Sequence, residues 1–194
     1  MNNILITGNR GFIGSKFQGI GFDIKDGNDI RNRLALDVLF EIAQIDTVIH
    51  CAALTGVRRS ELYPEEYIST NILGTKNLVD MAEKYKVKHF IHFSSSSVYA
   101  EAGEEPLSEN SPLEPDSLYG ITKLAAEKIV KRSNLSWCIV RPFTVYGEYG
   151  RMDQVLEKWI NQVKSGKPIT MYGDGSSGRG YSGPEIQFYY VLGG

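Results

Sequence analysis

The feature that most constrains the fold of this chain is an alternation of short apolar runs with longer segments of helical periodicity. Runs rich in β-branched and aromatic residues predict strands at residues 3–7, 20–24, 47–51, 89–94 and 136–141. Most of them are apolar throughout, as expected when both faces of a sheet are covered. Helical patterns lie at residues 36–44, 64–85, 117–132 and 152–165. This order predicts an α/β fold with a doubly wound parallel sheet.

Composition excludes several classes of protein. The chain has 194 residues, 42% of them hydrophobic, and a net charge of −2, which favours neither nucleic acid nor a membrane surface as a partner. No apolar run approaches the roughly 18 residues of a membrane span, and the N-terminus lacks the pattern of a signal peptide. Cys51 and Cys138 lie inside apolar runs without metal-ligand spacing, which is typical of buried thiols in a reducing compartment. We therefore expect a soluble cytoplasmic protein.

A glycine-rich segment follows the first predicted strand. Gly8, Gly11 and Gly14 stand where a strand should turn into a helix. Glycine permits the tight turn and lets backbone N–H groups approach a pyrophosphate, to which a helix N-terminus adds partial positive charge. The segment therefore predicts a dinucleotide-binding turn, and a strand-to-helix connection without a ligand is the alternative.

The connection after this turn is unusually short. Only nine residues, 15 to 23, lead from Gly14 to Asp23, whereas a crossover between parallel strands usually needs about 10–12 residues or more. Either the crossover helix has shrunk to about one turn, or the second strand does not enter the sheet in the usual way. Asp23 closes that strand, and a carboxylate there favours NAD over NADP by accepting the ribose hydroxyls. The alternative is that Asp23 is a turn residue.

Two further motifs carry acid–base chemistry. Tyr119 and Lys123 are four residues apart on a predicted helix, so their side chains share one face. A phenol titrates near pH ~10, and a neighbouring ammonium favours the phenolate that a general base needs. A run of four serines, residues 94–97, ends the preceding predicted strand. Each motif alone also fits an ordinary surface helix or loop.

The order of turn, serines and Tyr-x-x-x-Lys resembles the extended short-chain dehydrogenase/reductase family, in particular its NAD-dependent nucleotide-sugar 4-epimerases, from about Asn3 to Tyr181. The resemblance implies that Tyr119, Lys123 and Ser95 are catalytic. It implies substrate contacts from Ser95, Ser96, Thr144 and Arg179. It implies contacts with NAD from Gly8, Gly11, Phe12, Ile13, Gly14, Asp23, Asp29, Ile30, Ala52, Ala53, Asn71, Tyr119, Lys123 and Pro142, with Asn71 also holding backbone geometry near the active site.

The residues after Ser95 separate the reactions known in this family. Related 4,6-dehydratases place an Asp-Glu pair there and other relatives a Glu or a Cys, whereas this chain has Ser96 and Ser97. The resemblance therefore implies 4-epimerisation of a UDP-sugar, either UDP-glucose/UDP-galactose or a UDP-hexuronate, by transient oxidation at C4. The segment around Thr144 looks more like that of UDP-hexuronate 4-epimerases. A non-catalytic Rossmann domain that binds NAD or a nucleotide sugar is the alternative, and a dehydratase or reductase is a further one.

The resemblance also bears on domain organisation and assembly. It implies an NAD-binding Rossmann domain over residues 1–150 and a remnant of the substrate-binding lobe over residues 151–194. Beyond Ser182 the sequence departs from the family pattern, so we expect most of the C-terminal substrate lobe to be missing. Family members commonly dimerise through the helices that correspond to residues 64–85 and 117–132, and we expect a homodimer built in the same way.

Overall fold

The structure is a computed structural model that describes residues 3–99, 107–147, 155–170, 181–182 and 189–193. Its strands are β1 (Ile4–Thr7), β2 (Ile20–Phe22), β3 (Thr47–His50), β4 (His89–Phe93), β5 (Ser136–Arg141), β6 (Thr144–Val145), β7 (Tyr181–Ser182) and β8 (Tyr189–Gly193). Six of them form one sheet in the order β2-β1-β3-β4-β5-β8. The first five run parallel, and β8 pairs antiparallel with β5. The predicted parallel α/β sheet is confirmed, with each predicted strand in place.

The helices agree with the predicted periodic segments. They are α1 (Arg33–Ala43), α2 (Val57–Leu62), α3 (Pro64–Tyr67), α4 (Thr75–Lys84), α5 (Leu118–Lys131) and α6 (Val155–Lys164). The predicted helix over residues 64–85 consists of α3, a π-helical segment at Ile68–Gly74 and α4. Helix α2 was not predicted, because six residues are too few to display an apolar period.

Of the two alternatives for the short first crossover, the structure has the helix reduced to a single turn. Between β1 and β2 the chain makes one 3₁₀ turn, Gly14–Lys16. Strand β2 nevertheless pairs parallel with β1, with Leu5 opposite Ile20. The return is possible because the chain passes close over β1, where a Cβ on Gly19 would lie 2.5 Å from the carbonyl oxygen of Ile4. The alternative, a second strand outside the sheet, is wrong.

In the described part of the chain, an apolar core lies between the sheet and helices α1, α4 and α5. Leu5, Val48, Phe90 and Ile139 contribute to it from β1, β3, β4 and β5, and all four are completely buried. Helix α4 packs beside both α1 and α5. Because the strands are parallel, this packing leaves their carboxyl ends together at one edge of the sheet, where ligands bind in open α/β sheets.

The chain divides into two compact units, Met1–Arg141 with Tyr189–Gly194, and Pro142–Phe188. The first holds the six-stranded sheet, including β8, and the assignment of residues 151–194 to a remnant of the substrate lobe stays a prediction. In the second, β6 pairs parallel with β7, and the Trp159 indole N–H of α6 donates to the Thr170 carbonyl (2.9 Å). The boundary at residue 150 stays a prediction. Within the described residues, no helix is both long and apolar enough to cross a bilayer.

Candidate active site

The glycine-rich turn lies at the carboxyl edge of β1, directly against the residues that follow β3. Gly8 has a φ of +72°, and a Cβ built on it would lie 2.7 Å from the backbone nitrogen of Ala52. Its N–H donates to the carbonyl of Phe22 in β2 (2.9 Å). The ends of β2, β1 and β3 are thus joined at one edge of the sheet, where Gly8 and Ala52 lie side by side; their contacts with NAD stay predictions.

The turn folds tightly on itself. The N–H of Gly11 donates to the Gly8 carbonyl (2.9 Å), and a Cβ on Gly11 would lie 3.0 Å from that oxygen. A Cβ on Gly14 would overlap the same oxygen. Phe12 and Ile13, between these glycines, are half-buried. Only glycine fits at positions 8 and 14, which is the requirement of a turn that presents its backbone to a pyrophosphate.

Asp23 lies at the end of β2 and is almost completely buried, with 6% of its surface exposed. One carboxylate oxygen accepts the N–H of Arg10 in the glycine-rich turn (2.9 Å), and the other accepts the N–H of Lys25 (2.9 Å). The side chain therefore makes the contacts of a turn residue and also ties β2 to the glycine-rich turn. Each carboxylate oxygen can accept a second hydrogen bond, so the contact with ribose stays a prediction.

Asp29 and Ile30, two of the predicted NAD contacts, have protein partners of their own. The Arg31 guanidinium donates from Nε to both carboxylate oxygens of Asp29 (3.0 and 2.8 Å) and from Nη2 to one of them (2.6 Å), and these hydrogen bonds hold the pKa of Asp29 below its usual value. Ile30 is buried in the core, where a Cβ on Gly74 would lie 2.7 Å from its side chain. Contact between these two residues and NAD stays a prediction.

Asn71 lies in the π-helical segment and is buried, with its side-chain amide fully engaged. Its oxygen accepts the N–H of Leu54 (2.8 Å), and its nitrogen donates to the Leu54 carbonyl (3.0 Å) and to the Thr122 hydroxyl (3.1 Å). Leu54 belongs to the loop after β3 that also carries Ala52 and Ala53. Asn71 therefore holds this loop and α5 together, while direct contact with a cofactor stays a prediction.

The N-terminus of α5 carries Tyr119 and is capped from two sides. The Ser117 hydroxyl accepts the N–H of Gly120 (3.1 Å) as the N-cap. From α2, the Ser60 hydroxyl accepts the N–H of Tyr119 (3.1 Å), and the Glu61 carboxylate accepts that of Leu118 (3.0 Å). Since the first N–H groups of a helix lack partners within it, these caps fix the turn that carries Tyr119.

Lys123 is one turn further along α5 and is 3% exposed. Its ammonium donates to the carbonyl of Phe93 at the end of β4 (2.7 Å). Burial lowers the pKa of Lys123 to about 8, although the charge of Glu127 opposes the shift. An ammonium has three donors, so two further hydrogen bonds can reach a ligand.

The serine run turns against the first turn of α5. Ser95 caps a 3₁₀ turn at Ser96–Val98, and its hydroxyl accepts the N–H of Ser97 (3.1 Å) in a contact that does not consume its own proton. A Cβ on Gly120 would overlap the Ser97 carbonyl oxygen. Gly120 therefore lets the serine turn meet the helix beside Tyr119, and the structure brings the serine and Tyr-x-x-x-Lys motifs into contact.

Three predicted site residues are not part of the described first unit. Pro142, which is buried, and Thr144 of β6 belong to the second unit. Arg179 lies outside the described residues. Their predicted contacts with cofactor and substrate stay predictions.

Several residues that position the site were not predicted from sequence. Ser60 and Glu61 lie about 60 positions before the helix that they cap, and no local pattern marks them. Tyr67 of α3 donates its hydroxyl proton to the carbonyl of Thr55 (2.5 Å), with that of Gly56 also near (3.1 Å), and its ring meets that of Tyr119 edge-on, with centroids 6.3 Å apart. Thr122 lies inside the Tyr-x-x-x-Lys motif, which was the one available signal.

Comparison with protein families and curated proteins gives one consistent match. The profile of the NAD dependent epimerase/dehydratase family matches residues 26–182. A UDP-glucuronate 4-epimerase of Thermodesulfobacterium geofontis is 38% identical over 79% of this chain and 49% of its own length. A probable UDP-glucuronate 4-epimerase of Rhizobium meliloti is 34% identical over 79% of this chain and 46% of its own. The chain thus spans about half the length of these curated relatives.

Solved structures of the same fold cover nearly the whole chain. MoeE5 in complex with UDP-glucose and NAD is 32% identical, with a TM-score of 0.83, over 94% of this chain and 68% of its own. The UDP-glucuronic acid 4-epimerase of Bacillus cereus, in complex with UDP-glucuronic acid and NAD, is 32% identical with a TM-score of 0.81, over 93% of this chain and 69% of its own. A dTDP-glucose 4,6-dehydratase of Streptomyces venezuelae is 25% identical with a TM-score of 0.85, over 94% and 68% of the two chains.

Proposed function

Since this chain belongs to the NAD-dependent epimerase/dehydratase family, we propose that it binds NAD and carries the catalytic side chains of a nucleotide-sugar 4-epimerase. The observation that carries the proposal is the contact of the serine turn with α5 at Gly120, beside Tyr119 and one turn before the buried cation Lys123. The serine turn and α5, which carry a hydroxyl donor, a phenol and an ammonium, adjoin each other at this contact, and that supports a shared catalytic role.

The residues at that edge fit NAD. Gly8 and Gly14 exclude side chains where the pyrophosphate would approach the backbone, and Asp23 stands at the end of the neighbouring strand for the ribose hydroxyls. Ala52 and Ala53 offer small side chains at the next strand end. When bound, NAD accepts a hydride from C4 of the sugar and returns it, so no net oxidation results.

The side chains of this chain move the matching proton. Tyr119 takes the proton from the sugar O4 hydroxyl as C4 is oxidised, and returns it when the 4-keto sugar is reduced on its other face. Lys123 supplies a positive charge next to this reaction, with Phe93 holding its ammonium in place. Ser95 donates its free hydroxyl proton to O4. Each step is reversible, as a 4-epimerase requires.

The residues that follow Ser95 favour epimerisation over dehydration. Elimination of water across C5 and C6 needs an acid and a base beyond Tyr119, and Ser96 and Ser97 supply neither. The two UDP-glucuronate 4-epimerase relatives support a UDP-hexuronate as substrate, and MoeE5 with UDP-glucose keeps UDP-hexoses as a second candidate.

Calorimetric titration with NAD and NADP, followed by assays with UDP-hexuronates and UDP-hexoses, tests the function. We expect NAD to bind more tightly than NADP, and 4-epimerisation to be lost in Tyr119→Phe while NAD binding is retained. Formation of a 4-keto-6-deoxy sugar would establish a dehydratase instead. NAD binding without turnover would establish the non-catalytic alternative, and a folded chain that binds no nucleotide would refute the whole proposal.

A homodimer is the assembly that we propose. The helical stretches 64–85 and 117–132 expose large apolar side chains, among them Leu73 (56%) and Ile121 (49%), which a second copy would cover. Light scattering at micromolar concentration should give twice the mass of the chain, and a monomer would contradict it. A cytoplasmic location stays a prediction, which imaging of a tagged chain would check.

A further inference from the structure

A buried hydrogen-bond chain begins at the nucleotide-binding edge and runs through His50. The N–H of Ala52 donates to the Thr7 hydroxyl (3.3 Å), and Thr7 contacts Nδ1 of His50 (2.7 Å). On the other side of the ring, Nε2 of His50 contacts the Thr75 hydroxyl (2.9 Å). Thr75 in turn donates to the backbone carbonyl of Asn71 (2.6 Å). His50 therefore bridges β1 and the start of α4.

The partners at both ends decide which ring nitrogen carries the proton. The Asn71 carbonyl can only accept, so the Thr75 proton points to it and the Thr75 oxygen must accept from Nε2 of His50. Thr7 accepts from the backbone N–H of Ala52, so its own proton is directed to Nδ1. Every donor then meets one acceptor, and this arrangement requires neutral His50 in the Nε2–H form.

The surroundings agree with a neutral ring. His50 is 1% exposed, and burial, together with the nearby charge of Lys123, lowers its pKa to about 3. A proton on Nδ1 would take away the acceptor of the buried Thr7 hydroxyl proton, so protonation would disrupt the chain. Thr7 and Thr75 are also buried, which leaves water unable to replace a lost partner.

From Asn71 the chain continues to the helix that carries the Tyr-x-x-x-Lys motif. The side-chain amide of Asn71 donates to the Thr122 hydroxyl (3.1 Å), and Thr122 donates to the carbonyl of Tyr119 (2.8 Å). Both directions are again fixed, because a carbonyl accepts and an amide N–H donates. The residues next to the glycine-rich turn and the first turn of α5 are therefore joined by a continuous set of directional contacts.

From these contacts we infer that His50 is a positioning residue, which in its neutral Nε2–H form links the nucleotide-binding edge of the sheet to the first turn of α5. It touches neither the cofactor nor the substrate and acts through Thr7 on one side and through Thr75 and Asn71 on the other. Its effect on nucleotide binding rests on the proposed NAD site, whereas its effect on α5 does not.

The protonation of His50 is tested directly by nitrogen NMR. In a long-range proton–nitrogen spectrum of the ¹⁵N-labelled chain at neutral pH, the ring whose signal vanishes in His50→Gln should have Nε2 protonated and Nδ1 bare. An Nδ1–H form or a doubly protonated ring at this position would overturn the inference.

The link to α5 is tested with a matched pair at Thr75. Thr75→Val keeps the shape but loses both hydrogen bonds, whereas Thr75→Ser keeps the hydroxyl. In Thr75→Val, without nucleotide, amide exchange at Gly120 and Ile121 should accelerate about tenfold or more, because buried partners are left unmet. Exchange at Phe40 in α1 should change by less than about threefold, and Thr75→Ser should resemble the native chain at both helices. Equal acceleration in α1 and α5 would show only general destabilisation and would overturn the inference.

Nucleotide binding supplies the remaining readout. The Kd for NAD should rise about tenfold in Thr75→Val and stay within about threefold of native in Thr75→Ser. Unchanged affinity in both variants would overturn the link to the nucleotide edge. If the native chain binds no NAD, the proposed function fails, and the NMR and exchange measurements still decide the role of His50.

Discussion

At the scale of single residues, the candidate site has two unusual features. At two positions only glycine fits, and one lysine ammonium is buried away from water. Gly14 and Gly120 each face a carbonyl oxygen that a Cβ would overlap. Lys123 keeps an ammonium in a place that burial makes unfavourable for charge. Stability alone would favour neither the close backbone approach at the glycines nor the buried ammonium, so both features indicate a functional site.

Gly14→Ala should weaken NAD binding. The added methyl must displace the Gly8 carbonyl, and overpacking of this kind costs about 1–3 kcal/mol. We expect the Kd for NAD to rise at least about tenfold, measured by calorimetry. Ser15→Ala, at an exposed neighbouring position, is the control and should bind as the native chain does. Native affinity in Gly14→Ala would show that the turn does not contact the pyrophosphate.

Lys123 should make the stability of the chain rise with pH above neutrality. Its pKa is about 8 in the folded chain, against 10.5 for an ordinary lysine. The unfolded chain therefore holds more protons between these values, and stability increases with pH. From pH ~7.5 to ~9.5 the native chain should gain about 2 kcal/mol in the free energy of unfolding relative to Lys123→Met. Urea denaturation measures both proteins, and parallel profiles would contradict the shift.

At the scale of elements, α5 is positioned mainly by contacts from other elements. Helix α2 caps its first turn, the π-helical segment reaches Thr122, and the serine turn packs against Gly120. A π-helical segment is rare and is frequently found at functional sites. Here it presents Asn71 to both the loop after β3 and α5.

Ser60→Ala should loosen the first turn of α5. The Ser60 hydroxyl is buried and caps the N–H of Tyr119, and loss of such a cap costs about 1 kcal/mol, up to about 2. Glu61→Ala removes the neighbouring cap on Leu118 at an exposed position, where water can replace it, and should cost less than about 0.5 kcal/mol. Denaturant unfolding of both variants checks the difference. Equal losses in the free energy of unfolding would contradict the expectation that a buried cap stabilises the helix more than an exposed one.

At the scale of the whole molecule, one buried ion pair joins α5 to the sheet. The guanidinium of Arg141 in β5 donates to both carboxylate oxygens of Glu127 in α5 (2.9 and 2.7 Å), and neither residue is appreciably exposed. Arg141 also donates to the Tyr99 hydroxyl (3.1 Å) and to the Glu109 carbonyl (3.1 Å). The pair thus holds the segments that follow the serine run as well as the helix.

Glu127→Ala should destabilise the chain by about 3–5 kcal/mol, because Arg141 is left as an unpaired buried charge. Glu127→Leu combined with Arg141→Met removes both charges and should recover most of the loss. Burial alone would raise the pKa of Glu127, but the hydrogen bonds from Arg141 outweigh it and hold that pKa below the ordinary 4.5. The native chain should therefore lose stability, relative to the double variant, as pH falls below 4.5. A double variant as unstable as Glu127→Ala would contradict the pairing.

The sequence by itself determined the periodicities and the local chemistry. Short apolar runs and helical stripes predicted five parallel strands and the helices between them, because these signals are local and burial on both faces makes them strong. The glycine spacing predicted a dinucleotide-binding turn, and the pair Tyr119 and Lys123 predicted acid–base chemistry. Both are short motifs, so these signals are local as well. The order of the motifs identified the family, which the comparisons confirmed.

Only the tertiary structure decided how the motifs meet. The short crossover left two possibilities, and packing of Gly19 against β1 selected a single 3₁₀ turn. The cap from Ser60 and the bridge through His50 join residues distant in sequence, so no periodicity could indicate them. Asp23 displays the same limit, because the sequence offered a turn residue or a ribose contact. The fold shows its carboxylate accepting two backbone N–H groups, and the ribose contact stays a prediction. Such contacts depend on which strand ends lie side by side, and the fold alone fixes that.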